Sequence, residues 1–265
     1  MPILATVCSM GFWTSDIAAE SLPAGWTCDG NCGVSGADGV VTLSPAGNST
    51  YEWISTDSGL DGVGALPGVG GTGSPTNGST LTTKSFQGTA GAPVQFYFNY
   101  VTSDGSGFSD YAWARLLNAS GTPVALLFTA RTAASGSVVP GFDMPAPVAT
   151  LTPASIPIIG GAPAWTPLGG DSGQCFDVGC GYTGWARSSY RIPTSGIYSL
   201  QIGVTNWDDT FFQSGLAIDG VTIGGRPISA IPEPGTMALF SMGALGLWVV
   251  FRRGRHKSER TFDRR

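Results

Sequence analysis

The sequence predicts an all-β fold, an antiparallel two-sheet sandwich of jelly-roll type followed by a single C-terminal transmembrane helix. Three observations predict it. Glycine (40) and proline (18) together supply 58 of the 265 residues, a composition of turns and short strands. Between residues 20 and 230 no stretch of ten or more residues keeps helical spacing, whereas period-two alternation recurs. Near the C-terminus an uncharged apolar run ends in a basic cluster. Hydrophobic residues, at 42%, suffice for a core, while charged residues, at 12%, are about half the usual share.

In chain order, the apolar run 3–13 (ILATVCSMGFW) and the small residues Ala18-Ala19 have the form of an export-signal core and its cleavage site. Residues 1–19 are therefore read as a signal peptide. No basic segment precedes the run, so its expected start lies upstream. Cys8 would leave with it.

Residues 20–225 are expected to form the sandwich, with strands at 40–43, 51–55, 80–86, 94–100, 111–117, 124–129, 198–204 and 216–223. Val94, Phe96, Phe98 and Tyr100 share one face, as do Tyr198, Leu200, Ile202 and Val204. Strands apolar on one face only suit antiparallel pairing, because parallel sheets are buried on both. Two segments lack strand patterning: the glycine-rich 57–79, and 140–167 with its seven prolines. Both are expected to be loops.

Four cysteines remain in the body, an even number in an exported chain, which reads as disulfides. Three connectivities exist. The two local pairs, Cys28–Cys32 and Cys175–Cys180, are preferred as pins of surface loops. A zinc site is the rival reading, but these spacings are atypical and no histidine accompanies them.

Charge and histidine content exclude several functions. Residues 1–251 hold six basic and sixteen acidic side chains, a net of −10, which repels phosphate backbones, so no nucleic-acid partner is expected. The single histidine, His256, lies in the basic tail. Histidine general bases and histidine-ligated catalytic zinc are thereby excluded from the body. Gly170-Asp171-Ser172-Gly173 resembles the nucleophile segment of trypsin-like proteases but lacks a histidine to take the serine proton. Gly68-Val69-Gly70-Gly71-Thr72-Gly73 fits a dinucleotide fingerprint, yet the residues after it read as a turn where a helix is required, so a flexible loop is expected. Carboxylate-pair hydrolysis needs no histidine, and Glu52, Asp171, Asp177, Asp208 and Asp209 are its candidates.

Two binding chemistries remain. The run Ser103-Asp104-Gly105-Ser106-Gly107-Phe108-Ser109-Asp110 gathers carboxylates and carbonyls, and Asp219 lies on a late strand that can neighbour it. Asp104, Asp110 and Asp219 are the candidate ligands of a structural calcium ion, although Asp-Gly turn chemistry also explains the run. Trp165, Trp185 and Trp207 fall near predicted loops, where an exposed ring stacks on sugar; core packing or loop anchoring is the competing role.

The C-terminal run 235–251 (GTMALFSMGALGLWVVF) has seventeen residues without charge or proline. As a helix it spans about 25 Å, and the snorkelling side chains of Arg252 and Arg253 close the gap to a hydrocarbon core of about 30 Å. Seven bases within the last fourteen residues hold that end in the cytoplasm and leave the body outside it. Residues 226–231 form a linker, and Pro232-Glu233-Pro234 follows, extended and non-helical.

Pro-Glu-Pro, an apolar helix and arginines, in that order over 232–255, resemble the PEP-CTERM sorting signal. The resemblance implies an exosortase-type membrane protease as partner. Pro232, Glu233 and Pro234 would be its recognition element, the helix a transient inner-membrane anchor, and Arg252 and Arg253 the orienting charges. The basic tail 256–265 is longer than is typical of the family. The body segments FNYVTSDGSGFSDYAWARLL and GLAIDGVTI are also similar to those of PEP-CTERM surface proteins. The expectation is a non-catalytic protein of the cell surface or matrix of a Gram-negative-type bacterium. There it would have a structural, adhesive or weakly glycan-binding role in exopolysaccharide or biofilm, with extracellular polysaccharide as partner. A carbohydrate-active enzyme and a permanently membrane-anchored receptor are the alternatives.

Overall fold

The computed structural model describes residues 21–228, and within them the chain is all-β with every strand pair antiparallel. The expected signal peptide, the sorting motif, the helix 235–251 and the basic tail lie outside the described residues, as does half of the linker, whose Arg226 and Pro227 pair with Ile223 and Thr222. The main strands are β1 (Thr27–Asp29), β2 (Asn31–Ser35), β3 (Tyr51–Ser55), β4 (Pro75–Thr82), β5 (Pro93–Thr102) and β6 (Tyr111–Asn118). They continue with β7 (Pro123–Arg131), β8 (Thr150–Thr152), β9 (Ala186–Arg191), β10 (Gly196–Trp207) and β11 (Ser214–Ile223).

The first sheet runs β1-β4-β10-β6-β7 and the second β8-β9-β5-β11-β3-β2. The orders β4-β10-β6-β7 and β9-β5-β11-β3 are those of an eight-stranded jelly roll, in which two Greek keys wrap around one core. Period-two alternation drives this packing. β5 turns Val94, Phe96, Phe98 and Tyr100 inward, and β10 turns Tyr198, Leu200, Ile202 and Val204 inward to meet them. Phe98 stacks on Phe128 of β7 with centroids 4.2 Å apart, and Phe96 meets Phe128 edge-on at 6.4 Å.

Several expected elements differ. Residues 40–43 are no strand; Asp38 and Val41 bridge each other across a tight turn. The expected strand 80–86 is the end of β4 plus a separate short strand, Phe86–Gly88. The expected loop 57–79 contains the short strand Leu60–Asp61 and the first residues of β4, so Pro75-Thr76-Asn77-Gly78 is strand where a turn was expected. Its glycine-rich middle is a pinned strap over the outer face of the first sheet, not a flexible loop. The Gly64 carbonyl accepts from Trp113 Nε1 at 2.7 Å, Thr72 from Trp207 Nε1 at 2.8 Å, and Gly70 from Arg131 Nη1 at 2.8 Å. Trp113 lies flat enough over β10 that a Cβ on its cross-strand neighbour Gly203 would stand 2.3 Å from its ring, so only glycine fits there.

The two disulfides are Cys28–Cys32 and Cys175–Cys180. The first is not a surface-loop pin. It spans the point where the chain leaves β1 in the first sheet and enters β2 in the second, and closing so short a loop contributes about 2 kcal/mol through the unfolded state. The second closes a loop that lies against Ser103–Ser106, with Phe176 N–H donating to the Ser103 carbonyl and Ser106 N–H to Val178. Among the described residues no helix is long and apolar enough to cross a membrane.

Candidate functional site

Two regions gather polar side chains. The first is a notch of about 410 Å³ in the second sheet. It forms where β11 loses its pairing to β3. There the register shifts between Asp219 and Thr222, and Gly220 takes a left-handed φ of 64°. Such a bulge re-aims neighbouring side chains. Across β9, β5 and β11 the residues Arg187, Tyr97 and Asp219 stand directly opposite one another, forming a row of cation, aromatic ring and carboxylate. Asn48, Gln95 and Trp26 add an amide on each side and a partly buried indole, whose Nε1 has no partner.

Asp219 is buried and held by the Ser44 hydroxyl, by Asn48 Nδ2 at 2.7 Å and by the Gly220 N–H at 2.6 Å. Glu52 on β3 lines the same notch and has no basic partner among the described residues. Burial pushes its pKa up from 4.5 to about 7, against its own backbone N–H, and the Asp219 carboxylate adds to the rise.

The second region is a polar plug at the other end of the interior. Several strands change from apolar to polar inner residues at this end. β5 goes from Tyr100 to Thr102 and then Asp104, β10 from Val204 to Asn206, β4 from Leu81 to Asn77, and β11 from Leu216 to Ser214. Asp104 and Asp110 are both fully buried. Asp110 accepts from Trp207 N–H at 2.8 Å and from the Ser214 hydroxyl at 2.6 Å. Asp104 Oδ1 accepts from Gly105 N–H at 2.6 Å, and its Oδ2 has no partner. Asn206 donates to Asn77 Oδ1 at 3.1 Å and to Gln213 Oε1 at 3.2 Å, and its own oxygen is likewise unpartnered. Burial pushes Asp104 up to about 8, opposed by Gly105 N–H and aided by the Asp209 and Asp171 carboxylates. Burial and then the Asp104 charge hold Asp110 well above the carboxylate range. Among the described residues, no three histidine, cysteine, aspartate or glutamate side chains group as a metal cage.

The predicted calcium ligands therefore separate. Asp104 and Asp110 meet in the plug, but Asp219 belongs to the notch. β11 does neighbour β5, as expected, but the register sets Ser214 opposite Thr102. Asp219 lies five residues further along, about 17 Å away.

The predicted sugar platforms also fail as exposed rings. Trp165 is fully buried against the outer face of the second sheet, with Nε1 donating to Tyr51 Oη at 3.0 Å. Trp207 is buried under Arg131, whose guanidinium lies 4.5 Å from the ring centroid. Trp185 is half-buried, edge-on to Tyr51, and donates to the Thr42 carbonyl at 2.8 Å. All three anchor loops. Among the hydrolase candidates, Asp171 receives Gln213 N–H at 3.1 Å and Asp208 receives Ser74 N–H at 2.8 Å, while Asp177 is exposed on the disulfide loop. Ser172 accepts from Trp165 N–H at 2.9 Å and so caps a turn. Sequence reasoning missed Tyr97, Arg187 and Trp26; the first two are outward residues whose row exists only through strand register.

Residues 230–255 match the PEP-CTERM protein-sorting motif. The chain carries a PEP-CTERM protein-sorting motif. That motif indicates export and a membrane-associated sorting signal and implies processing by an exosortase. No curated protein matches this PEP-CTERM protein. Among solved structures, it is similar to the enzymatically active domain of tailspike protein 4 from bacteriophage CBA120. The identity is 15%, over 77% of this chain and 20% of the tailspike chain, at a TM-score of 0.34. The PEP-CTERM protein thus spans about a fifth of that protein's length. It is similar also to a cleaved adhesin domain of Lys-gingipain from Porphyromonas gingivalis, at 10% identity over 79% of this chain and 98% of that one, TM-score 0.35. A third is TmCBM61 in complex with β-1,4-galactotriose, at 8% identity, 76% and 88% coverage and TM-score 0.32.

Proposed function

We propose that this exported protein is a non-catalytic jelly-roll module of the cell surface or extracellular matrix, and that its notch binds glycan of the exopolysaccharide. In this reading the inner-membrane anchor is transient. The observation that supports it is the row Arg187–Tyr97–Asp219 at the mouth of a notch of about 410 Å³. A tyrosine face suits the C–H face of a sugar ring. Flanking charged and amide groups suit its hydroxyls and any uronate carboxylate, and the volume is that of a small-ligand site.

A second reading is carboxylate-pair glycoside hydrolysis in the same notch. It is favoured by the unlike surroundings of its two acids, Glu52 raised to about 7 and Asp219 held by three donors. One experiment separates the two. The full-length protein in detergent is incubated with matrix polysaccharide, and both retention on the polysaccharide and new reducing ends are measured. Retention that Tyr97→Ala and Arg187→Ala abolish, without reducing ends, is the expected result. New reducing ends that Glu52→Gln abolishes would replace the binding module with an enzyme. Retention unaffected by either notch variant, or none at all, would overturn the notch assignment.

A further inference from the structure

The polar plug carries an inference independent of the notch. Its two unpartnered atoms, Asp104 Oδ2 and Asn206 Oδ1, are both oxygens in side chains with no exposed surface. Leaving such acceptors unsatisfied is costly, so their absent partner is a donor or a cation. They sit on either side of one residue. The Gln213 carbonyl accepts from the N–H and hydroxyl of Ser103, next to Asp104, and Gln213 Oε1 accepts from Asn206 Nδ2. Asp110 joins them through Trp207 N–H, one residue beyond Asn206.

Charge separates the cation from a neutral donor. The charges that act on Asp104 and Asp110 are other carboxylates, Asp171 and Asp209 among them, and among the described residues no basic side chain offsets them. A buried water would satisfy the two oxygens but would not offset the repulsion that keeps the two carboxyls from ionising together. A hard divalent cation satisfies both requirements. The local ligand chemistry consists wholly of oxygen: carboxylate, side-chain amide and backbone carbonyl, which is the set calcium takes at six to eight positions with water completing the shell.

We propose that Asp104 Oδ2 and Asn206 Oδ1 are ligands of a calcium ion held between the two sheets at this end of the jelly roll, with Asp110 as its second carboxylate. The ion ties β5 to β10 beneath the Cys175–Cys180 loop, whose residue Phe176 is bonded to Ser103. Asp219 takes no part.

The test uses the full-length protein in detergent, stripped with chelator and titrated with calcium chloride, with magnesium chloride as control. Calcium should bind with one-to-one stoichiometry by calorimetry and raise the unfolding temperature, and magnesium should do so far more weakly. Terbium in place of calcium should show luminescence sensitised by Trp207. Asp104→Asn should weaken calcium binding about tenfold or more, and Asp219→Asn should leave it unchanged. Absence of binding heat and of thermal shift in the wild-type protein overturns the proposal whatever the variants do. So does calcium binding that Asp219→Asn impairs as much as Asp104→Asn.

Discussion

Replacing Glu52 with glutamine is expected to stabilise the protein at pH 8 and to leave it nearly unchanged at pH 4. The carboxyl is pushed up to about 7 in the folded chain against 4.5 ordinarily, because folding removes it from water beside Asp219 and, among the described residues, provides no base in return. Arg187 lines the same notch from β9 but is exposed. A folded pKa raised above the unfolded one means that the native state binds the extra proton. This contribution is fully present below pH 4.5 and is lost as pH rises through 7. A shift of that size corresponds to about 3 kcal/mol at most, with a smaller measured value because Glu52 keeps some contact with solvent. Glutamine mimics the protonated form at every pH. Urea unfolding of wild type and Glu52→Gln at pH 4 and pH 8, followed by tryptophan fluorescence, should show the variant ahead by about 1 to 3 kcal/mol at the higher pH only. Equal destabilisation at both pH values would refute the reasoning, since it would mean that the contribution of Glu52 does not depend on its ionisation.

Two further outcomes follow from packing. Phe128→Ala removes the ring stacked on Phe98 at the centre of the core and should cost about 3 to 5 kcal/mol, measured as a shift in urea midpoint at unchanged slope. Arg131→Met keeps the volume over Trp207 but removes the donor to the Gly70 carbonyl. Hydrogen exchange should then accelerate in the glycine-rich strap, residues 66–74, while the amides of β5 and β11 keep their protection.

The fold was legible where strands bury large apolar side chains in alternation. β5, β6, β7, β10 and β11 all have this pattern, and each was expected within a few residues of its observed bounds. β9 was not, because its inward residues include Ala186 and Ser188, whose hydroxyl donates to the Leu127 carbonyl inside the core. A short strand that buries small residues has no hydrophobic alternation to reveal it. β4 was misread as a loop and turn for a related reason: its first half, Pro75-Thr76-Asn77-Gly78, is composed of turn formers, and only tertiary pairing to β10 makes it a strand. The strap was misread because glycine content suggests mobility, whereas Trp113, Trp207 and Arg131 take its carbonyls one by one.

The same distinction explains the candidate sites. Aspartates of the 103–110 run come together because they are close in sequence at a strand end, so local spacing sufficed for Asp104 and Asp110. Asp219 required strand register, and register turned it toward the opposite end of the molecule. The nearness of Trp165, Trp185 and Trp207 to loops allowed either surface platforms or loop anchors, but an indole near a loop has a donor and a large apolar face, and both are satisfied most fully by holding the loop down, as Trp165 and Trp207 do. The aromatic left facing solvent in a polar row is Tyr97, whose neighbours Arg187 and Asp219 are distant in sequence and adjacent only through pairing. In a sandwich, side chains that stabilise turns announce themselves locally. Those that present a surface to a ligand are assembled across strands, and the sheet order must be known before they can be read.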